Sequence, residues 1–217
     1  MNRLGVVGRA LLVSVVCLSL VLTGCSTDWI GQAEEIVAAL IPAAGNLITL
    51  VAALEGKTVS ANDLQLVQSA GAQATADLQL IQSLIAAYEK ADASAKAGIL
   101  SQIQAAIQGA QTNLQGLLVA LHIKDTATQA KVTAVIGIVL SEVQSLAAIL
   151  PIVQGGVMKA SVAGTKRPPL GASAFVSSYN ATLSAKTGNA DVDRVAAGLK
   201  IHAHGMVARV VSGGVVK

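Results

Sequence analysis

Between Ser60 and Leu150, apolar residues recur in alternating steps of three and four. The cleanest run is Leu64, Val67, Gly71, Ala74, Leu78, Ile81, Ile85 and Tyr88. A side chain every 3.5 residues stays on one face of an α-helix but wanders across a strand. The segment is therefore helical, and its apolar face must be buried against other helices. Gly71 and Ala74 in mid-seam predict a place where a neighbour comes close. Leu100, Ile103, Ile107, Ala110, Leu114, Leu117 and Leu121 keep the same rhythm. Val132, Ile136, Val139, Val143, Leu146 and Leu150 repeat it once more.

The punctuation fits these runs. Ser60 with Asp63 reads as a capping pair at one start, Asp92 or Ser94 begins the next, and Thr126 with Gln129 opens the last. Pro151 stops or kinks the final helix. Three heptad helices joined by short polar connections read as antiparallel neighbours. A fourth, from about Thr27 to Leu54, precedes them with Ile30, Ala33, Val37, Leu40, Ala44, Leu47, Val51 and Leu54 as its stripe. The predicted fold is all-α, an up-down antiparallel four-helix bundle over residues 25–154. A Gly/Pro-rich flexible linker over 155–173 and a basic, partly helical tail over 174–217 follow it. In the tail, Phe175, Tyr179 and Leu183 form one short apolar stripe. Val192, Val195, Leu199 and His202 form another.

Only 12% of the chain is charged, against ~25% in ordinary soluble domains, so the helix exteriors must be polar without charge. Glutamine fills that role at Gln102, Gln104, Gln108, Gln111 and Gln115. Ile36 to Leu54 carries no charge and approaches membrane-span length. Pro42, Gly45, Asn46 and Thr49 interrupt it, and it is read as a buried bundle helix rather than an inserted one. The charge is divided. Asp28 to Met158 holds 5 lysines against 10 acids, whereas Lys159 to Lys217 holds 8 basic residues against 2 acids. The basic tail either folds onto the acidic body or meets an anionic surface or an envelope protein. Lys166, Arg167, Arg194, Lys200 and Arg209 are the candidate contacts, together with Trp29 near the first helix start. The tail lacks the basic-aromatic interleaving of nucleic-acid binders, so no nucleic-acid role is expected.

Arg3 and Arg9 precede the apolar run Ala10 to Leu22, which is short for a transmembrane helix and has the layout of a secretory signal. Leu22-Thr23-Gly24-Cys25 closes it. This stretch resembles the lipobox of bacterial lipoproteins at every position; the resemblance covers residues 1–25 only. It implies removal of residues 1–24 by cleavage between Gly24 and Cys25, lipidation of Cys25, and attachment to the membrane through that lipid. Ser26 follows where an Asp would favour inner-membrane retention, so the outer membrane is favoured in a Gram-negative cell. Cys17 would leave with the signal, so the mature chain would hold no disulfide.

Other chemistry is sparse. His202 and His204 are spaced to share one face of a strand, but no acid or cysteine completes a ligand set. Glu34 and Glu35 are adjacent and point to different parts of a helix surface. There is no phosphate loop, nucleophile elbow or His-Glu-x-x-His motif. No catalytic residue, metal or cofactor is expected. The expected function is a lipid-anchored, non-enzymatic interaction or structural module of the cell envelope; the alternative is a membrane-active or lipid-binding bundle.

Overall fold

The computed structural model describes residues 28–53, 59–154, 157–159 and 171–202. Four long helices come first: α1 (Asp28–Ala52), α2 (Ala61–Lys90), α3 (Ala93–Ala120) and α4 (Thr126–Ile149). Two three-residue strands follow, β1 (Ile152–Gln154) and β2 (Val157–Lys159), then α5 (Ala172–Ser184) and α6 (Ala190–Gly198). Apart from that strand pair, the described elements are all helical.

The helix starts are fixed by side-chain caps. The Ser60 hydroxyl accepts from the Asp63 N–H at 3.2 Å and donates to Asp63 Oδ2 at 2.6 Å. Asp92 accepts from the Ala95 N–H at 2.9 Å and starts α3. The start of α4 differs from the sequence reading. Asp125, not Thr126, is the cap, accepting from the Thr128 N–H at 2.8 Å. An aspartate one residue earlier offers a charged acceptor to the positive helix end, which a threonine cannot. Hydrogen bonds from Thr128 hold the Asp125 carboxyl below its usual range. Pro151 acts as foreseen, and α4 ends at Ile149.

The predicted seams are buried, save for Leu54, which lies outside the described residues. Leu64, Val67, Gly71, Ala74, Leu78, Ile81, Ile85 and Tyr88 are the buried residues of α2. The stripes of α3 and α4 are buried along their whole length. α2 packs against α1 and α3, and α4 packs against α1 and α3. Gly71 makes room on the α1 side: a Cβ there would stand 2.6 Å from Ile48 Cγ1. Gly109 does the same between α2 and α3, where a Cβ would stand 2.7 Å from Asp77 Oδ2. Asn113 donates to that oxygen at 3.2 Å.

α1 buries more than one stripe. Ile36, Ala39, Ala43 and Leu50 are buried beside the expected Val37, Leu40 and Leu47. The reason is its position: α2, α4, α5 and α6 all pack against it. A helix enclosed on several sides is apolar nearly all round, which accounts for the uncharged run. Its Pro42 lies within a continuous helix.

The chain after Pro151 departs most from the sequence reading. Residues 152–154 and 157–159 pair antiparallel, Gln154 opposite Val157. Gly155-Gly156 between two β-rich runs carries a strand-pair signal, which a linker reading of 155–173 passes over; residues 160–170 lie outside the described residues. α5 and α6 share the core of the long helices. Phe175 and Tyr179 are fully buried and Leu183 is 1% exposed, so the predicted stripe is docked. α5 packs on α4 and α1, and α6 on α5 and α1.

Candidate functional site

The residues expected to make contacts do not converge. Gly24, Cys25, Lys166, Arg167 and Arg209 lie outside the described residues, as does His204. Trp29 is 9% exposed and stacks edge-on against Tyr88 at 5.1 Å. Its ring is committed to the core edge rather than presented to a surface. Lys96 covers the same Tyr88 ring at 4.9 Å. Arg194 is exposed and pairs with Asp191 one turn back, 3.1 Å away. Lys200 is half-buried beyond the end of α6.

Two ends of the molecule are thereby defined. Trp29 at the start of α1, Tyr88 at the end of α2 and Lys96 at the start of α3 form one end. The 28 residues of α3 lead away from it, a length of about 42 Å. At the far end, near the start of α4, Lys131 donates to the Leu183 carbonyl at 3.1 Å and to Asp193 Oδ1 at 3.2 Å. The same Oδ1 accepts from the Thr187 N–H and hydroxyl at 3.0 and 3.1 Å. Those bonds hold the Asp193 carboxyl below its usual range. The Lys131 side chain is 3% exposed, so this is a sheltered ion pair that fastens α5 and α6 to α4.

Beyond α6 the chain is held on two side chains. The Asn46 amide donates to the Leu199 carbonyl at 2.8 Å. Asn180 grips both polar groups of Ile201, donating to its carbonyl at 2.8 Å and accepting from its N–H at 2.9 Å. Residues 198–202 thus stand opposite α1 across a cavity of about 370 Å³ beside Pro42. A second recess, of about 520 Å³, lies beside α6 between Lys186 and Arg194.

Two titratable groups are buried without a hydrogen-bond partner among the described residues. Glu142 on α4 is fully buried, and neither carboxyl oxygen has a hydrogen-bond partner. Desolvation pushes its pKa up to about 7. The Tyr179 hydroxyl is also buried, and burial raises it to about 12; the nearby Asn46 amide offsets part of the shift without forming a hydrogen bond of full geometry. Among the described residues no three of His, Cys, Asp and Glu converge on a point that could hold a metal ion.

None of these placements stood out in the sequence. Thr128, Lys131, Val135 and Glu142 are spaced by three, four and seven, and all four are buried on α4. This is a second heptad stripe beside the apolar one, hidden because its polar members read as solvent-facing. Asn46 and Asn180 carried no signal, since each clamps a partner remote in sequence.

α1 and α4 are long and apolar enough to cross a membrane by length and composition, and 50% and 39% of their most apolar windows are buried in the fold. Comparison with known protein families, curated proteins and solved structures found no match to this chain.

Proposed function

We propose that the protein is an exported lipoprotein whose four long helices form an up-down antiparallel bundle, held at a cell-envelope membrane by lipid on Cys25. It acts there as a non-enzymatic interaction or structural module. The observation that carries the reading is Leu22-Thr23-Gly24-Cys25 at the end of a basic-then-apolar leader. The first described helix, α1, begins at Asp28, three residues past Cys25 in the sequence. Several acyl chains would give durable attachment, where one chain binds only marginally.

The exposed faces of α2 and α3 suit an interaction role. Gln65, Gln68, Gln79, Gln82, Gln102 and Gln108 are exposed there and carry no charge. Such a face can pair with an envelope partner without desolvating ions. The uncharged run in α1 is read as the core helix of this bundle, because its apolar side chains are covered by four neighbouring helices.

The test is metabolic labelling with an alkyne fatty acid in the expressing bacterium. Wild type should take the label and sediment with membranes; Cys25→Ser should take none and move to the soluble fraction. In a Gram-negative host, Ser26→Asp should shift the protein toward the inner membrane. An unlabelled wild-type chain would overturn the assignment.

A further inference from the structure

The cavity beside Pro42 has a defined chemistry. One wall is α1, contributing Ala38, Ala39 and Pro42, all apolar. Pro42 has no N–H, so the helix leaves the Ala38 carbonyl without its usual donor four residues on. The opposite wall is the chain from Gly198 to His202, carrying Lys200 and His202. This wall is held in place. Asn46 and Asn180 bind the backbone at Leu199 and Ile201, which keeps the segment across from α1. Lys200 is half-buried, and among the described residues no acid pairs with it. A lysine without an acid partner beside an apolar wall offers an anion a charge-assisted hydrogen bond. The cavity volume of about 370 Å³ falls within the range of small-molecule sites.

We propose that this cavity binds a small amphipathic carboxylate of the medium-chain fatty acid class. The carboxylate meets the Lys200 ammonium, with His202 beside it, and the chain lies along Ala38, Ala39 and Pro42. The charge of the cavity mouth selects an anion, and its apolar wall selects a hydrocarbon. Among the described residues the lining holds no Phe, Tyr or Trp on which a large flat ring could stack. This site does not depend on the lipid anchor.

The test titrates decanoate, below its micelle concentration, into the detergent-free Cys25→Ser chain by calorimetry. One saturable site is expected, with decanol binding at least about tenfold more weakly because it brings no charge. Ala38→Trp should abolish binding; Ala38 is exposed, so the larger ring fills the cavity without entering the core. Lys200→Glu should weaken decanoate at least tenfold while leaving decanol unchanged. Circular dichroism of each variant should match that of the parent. Failure of the parent to bind decanoate would overturn the proposal, whether the cavity is filled by the chain's own C-terminal residues or by nothing. Binding insensitive to both substitutions would overturn it equally, and equal affinity for decanol and decanoate would remove Lys200 as the selecting group.

Discussion

Glycine has opposite meanings at two positions of this protein. At Gly71, an added methyl would lie 2.6 Å from Ile48 Cγ1, near the base of a stiff β-branched side chain. At Gly116, on the exposed side of α3, a methyl would meet nothing within 4 Å. Gly71→Ala should therefore destabilise by ~1–3 kcal/mol through overpacking, less the helix gain. Gly116→Ala should stabilise by up to ~1 kcal/mol. Urea unfolding of the two variants checks the pair, and equal signs would refute the packing argument. Glu142 supplies a second residue-scale prediction. Its folded pKa, about 7, stands above its ordinary value of 4.5. Between those values the folded state keeps a proton that the unfolded chain has lost, so stability falls as pH rises. Full stability from this group is present below 4.5, and about 3 kcal/mol is lost by the time the pH has passed 7. Glu142→Gln should remove most of that slope, measured by urea unfolding at pH 5 and pH 8.

At the scale of elements, α5 decides whether the tail is an appendage or part of the core. Phe175 and Tyr179 are fully buried with ring centroids 5.8 Å apart, and Leu183 stands a turn further on. Burying three such side chains contributes ~2 kcal/mol or more each. Lys131 then ties the far end of α5 to α4 through the Leu183 carbonyl, and α6 through Asp193. Phe175→Ala should accordingly cost ~3–5 kcal/mol of global stability. An independent tail would leave the main unfolding transition unchanged, so thermal unfolding separates the two cases. The basic excess of the tail does not make it a free arm over residues 171–202, because the apolar stripe and the two asparagine clamps hold it down.

The whole molecule has a direction. Trp29, Tyr88 and Lys96 mark one end, and Lys131 with Asp193 marks the other. Three residues of extended chain span ~10 Å, so lipid on Cys25 would hold the Trp29 end against the bilayer. Trp29 is the only tryptophan in the chain, which makes its fluorescence a clean reporter. The lipidated protein in vesicles should be quenched by phospholipids brominated near the headgroup, and the Cys25→Ser protein should not. Equal quenching of both would refute this orientation.

The sequence alone determined which residues form helices and which face of each helix is apolar. Periodicity and caps are local: the α2 seam, the Ser60 cap and the Pro151 stop depend on residues within a turn or two of one another. It also supplied Leu22-Thr23-Gly24-Cys25, a contiguous stretch that resembles a lipobox. Tertiary structure alone decided what stands opposite each face. A heptad pattern shows that a side is apolar but not how many neighbours cover it, so the extra burial in α1 was illegible. The same holds for Lys131, which is met by Leu183 and Asp193 on α5 and α6, elements that begin more than 40 residues downstream. The Pro42 cavity is illegible for the same reason, because its two walls come from opposite ends of the described chain and meet only when α6 has docked.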